Sequence, residues 1–325
     1  MRRKAGGATS CPMLVGHEEQ KSALLHALEC GRMHHAWLIA GPRGIGKRRF
    51  ADWAALKLLS GDRGTGDVDP QDTAARLVRS GAHPDHRILA PPEEGKGSTT
   101  STIVVDQIRE IADFLHTHPS IAGWRTLVVD ALENMNPSAS NAFLKELEEP
   151  RPKTVYLLVS HAPGRLLPTI RSRCRMLRMH PLTHAQTASV LRQAMPEAEQ
   201  PAIDALVSLA DGAPGAVLGF AGADPAELAA MLDRLASGSG AFALARGFQG
   251  QGAIPLLEAM AMLVPRRVAA AVRKSPGVEL LALYDEADAI SRDALRLAYD
   301  RVQVAMALAD ILARMGRIER MGRAQ

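Results

Sequence analysis

The segment AWLIAGPRGIGKRRFADWAALKLLSG, residues 36–61, admits few folds. It opens on a short unbroken apolar run (36–40), the form of a parallel strand buried on both faces. It closes on a helical pattern over 47–61, with Phe50, Ala54 and Leu58 on one stripe and Gly61 as its stop. Between them lies GPRGIGKR, in which Gly41, Gly46 and Lys47 match the phosphate-binding pattern G-x-x-x-x-G-K-[ST]. Strand, glycine loop and helix in this order are the context that the pattern requires. The eighth position, where a hydroxyl belongs, is Arg48.

That exchange bears on chemistry. In a working loop of this kind, backbone N–H groups cradle the phosphates, the lysine reaches the terminal oxygens, and the Ser/Thr hydroxyl ligates Mg²⁺. Gly44 and Gly46 keep the backbone freedom and Lys47 keeps the cation, while Arg48 removes the metal ligand. An Asp at a strand end should organise the metal, and TLVVDALENM supplies Asp130. The neighbouring position, where a water-polarising Glu would stand, is Ala131, and Glu133 further on reads as a solvated surface carboxylate. Hydrolysis by this chain alone is not expected. A degenerate nucleotide site built from Gly41, Gly44, Gly46, Lys47 and Asp130, holding ATP or ADP without turnover, stays open beside a bare scaffold turn.

Further strands are expected at 87–92, 125–131, 154–160 and 174–179, with helices at 17–30, 102–119 and 137–150. Strands alternating with helices indicate a doubly wound parallel sheet of five strands. After residue 182 the strand patterns stop. Short helices over 183–238 form a small lid, broken at DGAPG (211–215), and a last all-helical domain occupies 239–325. The expected organisation is therefore a sheet domain at 1–182, a lid at 183–238 and a C-terminal oligomerisation domain at 239–325.

No apolar run approaches the ~20 residues of a bilayer helix, and MRRKAGGATS lacks the apolar core of a secretory signal, so a cytoplasmic protein is expected. Net charge is +4, compatible with work near nucleic acid and insufficient to establish it. Cys11, Cys30 and Cys174 share no C-x-x-C spacing, so no metal site is expected and the thiols should be buried or inert.

PTIRSRCR (168–175) places three arginines at a corner between two strands. Spacing alone allows a basic surface turn, or an Arg that reaches a γ-phosphate on a neighbouring subunit. The blocks GRMHHAWLIAGPRGIGK, GAHPDHRILAPPEEGK, IVVDQIREI, NAFLKELEEP and RLLPTIRSRC occur in an order that resembles the delta-prime subunits of the bacterial DNA polymerase III clamp loader, an AAA+ family. The resemblance runs over roughly 14–220. It implies an AAA+ sheet domain with lid and collar, in a pentameric ring with motor (gamma/tau) and delta subunits. Through that complex it implies work on a sliding clamp and primer-template DNA, with no membrane partner. It implies that Arg173 acts in trans on ATP of the adjacent motor, while Ser172 and Cys174 shape the turn. The chain would be a non-catalytic component of the polymerase holoenzyme; the alternative is an autonomous AAA+ ATPase such as the motor itself.

Departures from the family pattern point the same way. The four-cysteine zinc module often found before the HPD block is missing from 61–85, so no metal is expected there. The lid turn GAPGA has Gly215 where an active subunit offers an arginine to its own nucleotide. Ser160 and His161 stand at the sensor position, as a γ-phosphate contact or a strand-end cap. Arg314, Arg317 and Arg320 form a stripe near the C-terminus that reads as a solvated or subunit-facing edge.

Overall fold

The computed structural model describes residues 14–91, 102–218, 225–239, 253–294 and 301–323. The chain divides into two compact units, 1–181 and 182–325.

The first unit is a five-stranded, wholly parallel sheet in the order β2-β3-β4-β1-β5, the doubly wound architecture expected from the alternating patterns. The strands are β1 (Ala36–Ala40), β2 (His86–Leu89), β3 (Arg125–Val129), β4 (Thr154–Ser160) and β5 (Arg175–Arg178). The helices of this unit are α1 (Glu18–Glu29), α2 (Lys47–Ser60), α3 (Thr73–Arg79), α4 (Val105–Leu115), α5 (Pro137–Glu148) and α6 (Pro168–Ser172). Side chains alternate between faces along each strand. Leu38, Leu127, Tyr156 and Leu158 meet Ile108 and Leu115 of α4 and Phe143 and Leu147 of α5. The other face receives α2, which packs on β1, β3 and β4 with Phe50, Ala54 and Leu58 all buried. Because every interior strand is covered on both sides, β1, β3 and β4 are buried without a break and mostly apolar.

Two elements differ from the sequence expectation. The fourth helix begins at Val105, not 102, because Ile103 is drawn into a bridge with Met135 and is fully buried. Helix α3 was not anticipated. It is started by Asp72, whose Oδ1 accepts from the N–H groups of Ala74 and Ala75 at 2.7 and 3.3 Å. The expected insertion at 93–101 lies outside the described residues.

The HPD block has a structural role. Asp85, fully buried, accepts hydrogen bonds from the backbone N–H groups of Ser120, Ile121 and Ala122 at 2.6, 2.9 and 2.9 Å, and Arg125 Nη2 lies 3.7 Å from it. The Arg125 guanidinium also donates to the carbonyls of Phe114, Thr117 and His118 and lies over the Phe114 ring. One carboxylate and one guanidinium thus tie β2, β3 and the end of α4 together.

The second unit is helical throughout its described residues: α7 (His184–Ala194), α8 (Gln200–Ala210), α9 (Gly215–Leu218), α10 (Pro225–Ser237), α11 (Ala253–Lys274), α12 (Val278–Ala294) and α13 (Arg301–Arg323). Helix α7 opens with a reciprocal cap between Thr183 and Gln186. Leu191, Leu206, Leu232, Met260, Val264, Leu283, Leu308 and Leu312 belong to a single apolar cluster, so helices on both sides of residue 238 share one core. The expected joint at 236–242 falls partly outside the described residues. Two arginines of the C-terminal stripe are engaged within this unit: Arg314 with Glu286 at 3.0 Å, and Arg320 with the carbonyl of Ala236 at 3.3 Å.

Candidate functional site

The carboxyl ends of β1, β3 and β4 converge where ligands enter open parallel sheets. β1 runs into the glycine loop, β3 into Asp130, and β4 into Ser160 and His161. The loop's shape is fixed by close approach. A Cβ on Gly41 would stand 2.6 Å from the carbonyl oxygen of Met179 and 2.7 Å from Ile45 Cδ1, so only glycine fits there. Gly46, the residue before α2, has φ +98°, a conformation that favours glycine. Below the loop, His17 Nε2 donates to the Ile45 carbonyl at 2.9 Å, and burial holds its pKa below the ordinary histidine value.

Lys47 is 3% exposed. Its ammonium donates to the carbonyls of Gly41 and Pro42 at 2.7 and 2.5 Å, closing the loop on its own backbone. The lysine of the pattern is thus buried inside its own loop.

Arg48 does what the sequence did not disclose. Its Nε lies 2.9 Å from Asp52 Oδ1, one turn along α2, and its Nη1 lies 3.1 Å from Asp130 Oδ2, across on β3. All three side chains are about two-thirds or more covered. Burial opposes the arginine's charge, and Asp52 and Asp130 outweigh it, raising the guanidinium above its ordinary value. Burial raises Asp52 as well, with Arg48 pulling the other way. The site does not fit Mg²⁺: the hydroxyl ligand is gone and the strand-end aspartate already has a cationic partner. Among the described residues, no group of three or more His, Cys, Asp and Glu is placed to hold a metal.

The remaining positions around the loop make contacts of their own. Ala131 has φ +60°, so the backbone turns away directly after Asp130. Glu133, expected at a solvated surface, is half-buried and its Oε1 accepts the backbone N–H of His161 at 2.7 Å. The short turn at Leu132–Asn134 brings it there, a signal the strand pattern does not carry. Ser160 Oγ accepts the N–H of Ala162 at 3.2 Å, the strand-end cap of the two open readings. Burial, with Lys47 and Arg43 adding positive charge, pushes the His161 pKa down to about 2, so this imidazole is neutral.

Arg173 lies apart from this cluster, as the residue capping α6. Its Nη1 donates to the Thr169 carbonyl at 3.0 Å and its Nη2 stands 2.8 Å from Glu148 Oε1, at the end of α5. The side chain is 35% exposed. Ser172 Oγ donates to Thr169 and Cys174 Sγ to Ile170, both at 3.1 Å, and burial pushes the Cys174 thiol up to about 12. Both side chains act on the turn. Of thiols expected to be buried or inert, Cys30 is exposed beside His26, and Cys11 lies outside the described residues. In the second unit Gly215 opens α9 and so brings no side chain to a nucleotide.

Residues 16–183 match the family described as "DNA polymerase III, delta subunit". The delta' subunit of Pseudomonas aeruginosa DNA polymerase III is 39% identical over 55% of this chain and 53% of its own length. That of Escherichia coli is 33% identical over 60% and 57% respectively, so the chain spans about half the length of these curated relatives. Among solved structures, a DNA polymerase III gamma subunit-related protein of Thermotoga maritima is similar with TM-score 0.44 and 16% identity, over 90% of this chain and 100% of that one. No described helix is long and apolar enough to cross a membrane. The match covers the glycine loop, Arg48, Asp130 and the Arg173 corner together, and on it the chain belongs to the DNA polymerase III delta subunit family, alongside its delta' members.

Proposed function

We propose that this chain is a non-hydrolysing subunit of a DNA polymerase III clamp loader, which supplies Arg173 in trans to ATP held by an adjacent motor subunit. The observation that carries the first half is the Arg48–Asp130 ion pair: the carboxylate that would organise the metal is bonded to the residue that replaced the metal's other ligand. Ala131, turned into left-handed backbone, and Gly215 remove two further parts of a hydrolytic site. For the second half, Arg173 caps a short exposed turn and is held on one side only, by Glu148 and a turn carbonyl. An arginine so placed stabilises charge that builds on a transferring phosphoryl group.

In this reading the sheet unit faces the motor (gamma/tau), delta is a further neighbour, and the sliding clamp and primer-template DNA are met through the assembled ring in the cytoplasm. The lid at 183–238 and the collar domain at 239–325 give the subunit its place in that ring. Any ATP or ADP on Gly41, Gly44, Gly46 and Lys47 is held and not turned over. The test is reconstitution of the complex with Arg173→Ala. Assembly should be unchanged, and ATP turnover at the adjoining motor site should fall by about 10³–10⁵-fold. Unchanged turnover and clamp loading would overturn the assignment.

A further inference from the structure

The loop, Asp130 and the helix that follows are arranged for a divalent cation that the residues present cannot ligate. We propose that the Arg48 guanidinium is a built-in replacement for that cation, and that this site excludes divalent metal whether or not it holds a nucleotide. The inference is independent of any role for Arg173.

Three observations carry it. A metal at such a site would be held by the eighth loop residue and the strand-end aspartate, and here the eighth residue itself bonds Asp130 Oδ2 at 3.1 Å. The guanidinium is fixed from its other side by Asp52 Oδ1 at 2.9 Å, so it cannot swing out to admit an ion without abandoning two carboxylates. These contacts use separate nitrogens, Nε and Nη1, which is the planar fork that arginine offers and lysine does not. Two carboxylates from different elements then share one fixed positive charge, at the first turn of a helix that carries no acidic residue of its own there. A metal entering the site would meet a cation already in place, and the cost of displacing it would fall on Asp52 as well as Asp130.

The proposal separates metal binding from phosphate binding. Lys47 and the glycine backbone are untouched by Arg48, so a nucleoside polyphosphate taken by this loop would be taken as the metal-free anion, its charge met by Lys47 and Arg48.

The test uses the full chain, Mn²⁺ as a spectroscopic probe, and thermal unfolding with and without Mg²⁺. Wild type should bind no Mn²⁺, alone or with ADP, and its midpoint should not respond to Mg²⁺. Arg48→Ser should lower the midpoint by a few degrees in chelator, and Mg²⁺ should restore it, since a ligand of the folded state alone stabilises it by mass action. The recovery should vanish in the Arg48→Ser/Asp130→Asn double variant. If Arg48→Ser does not fold, Arg48→Gln keeps the stem and a polar head, and the same metal-dependent recovery is expected of it. Saturable Mn²⁺ binding by wild type that Asp130→Asn removes would overturn the proposal. So would a destabilised variant that Mg²⁺ leaves unchanged, which would make the pair an ordinary ion pair away from the metal's place.

Discussion

Arg173 Nη2 lies 2.8 Å from Glu148 Oε1, so the arginine proposed to act on a neighbour is paired inside its own subunit. With the two side chains 35% and 49% exposed, a pair of this kind contributes about 0–1 kcal/mol. It is weak enough to be exchanged for a phosphate and strong enough to keep the guanidinium from wandering.

Glu148→Gln should therefore leave the midpoint of unfolding nearly unchanged. In the assembled complex it should raise turnover at the adjoining site by no more than about fivefold, the equivalent of ~1 kcal/mol. Steady-state ATP hydrolysis by the reconstituted ring measures this. A fall as deep as that of Arg173→Ala would mean that Glu148 orients the arginine and does not compete for it.

Two histidines, His86 buried and His161 half-buried, give stability a dependence on pH. Burial, aided by the charges of His83, Arg48 and Arg87, lowers His86 to about 4, and its Nδ1 meets Thr126 Oγ1 at 2.9 Å. His161 falls to about 2. The unfolded chain takes up these protons near pH 6.5, and the folded chain does not, so the unfolded state binds more protons and stability rises with pH. The contribution is complete above about 6.5 and is lost as pH falls toward 4 for His86 and further for His161. Midpoints measured between pH 7.5 and about 4.5 should decline, and His86→Gln should decline less steeply.

Asp85 acts lower on the scale. Burial raises its pKa, and the N–H groups of Ala122, Ile121 and Ser120 with Arg125 outweigh this, so the net shift is downward. Its stabilisation is present above the unfolded value of about 3.9 and disappears as pH drops through the folded value. At neutral pH, Asp85→Asn leaves Arg125 buried without its carboxylate and should cost about 3–5 kcal/mol, read from denaturant midpoints.

The two loop glycines should respond differently to alanine. At Gly41 the new methyl meets backbone at 2.6 Å, and a cost of about 1–3 kcal/mol is expected. At Gly46 the nearest atom is His17 Nε2 at 4.0 Å, leaving only the left-handed backbone as a penalty, about 1 kcal/mol. Equal losses from the two variants would mean that Met179 moves aside.

Much of this was legible from local pattern. The strand-loop-helix run at 36–61 needs only neighbouring residues to be recognised, and β1, β3 and β4 announce themselves by short apolar runs (AWLIA, LVV, VYLLV) because both their faces are covered. Asp130 follows from its place at a strand end. What escaped depends on the fold bringing distant residues together. Arg48 showed a lost hydroxyl, while its bond to Asp130, 82 residues away, waits on the register of β3. Its other partner could have been found, since Asp52 stands at i+4 on the same helix. Helix α3 carried a readable start in Asp72 but too few apolar residues to show a period. Glu133 looked like a surface charge because burial leaves no mark on local spacing.

β1 is an interior strand of the first unit's sheet, yet its partners are β4 and β5, more than a hundred residues later in the chain. On a ribosome adding roughly 5–20 residues per second, Trp37, Leu38 and Ile39 would leave the tunnel on the order of ten seconds before the strands that pair with them exist. The glycine loop inherits that delay, because Gly41 is seated against Met179, the residue just past β5. Whatever the loop comes to hold, it reaches its final shape only after the last strand has been synthesised.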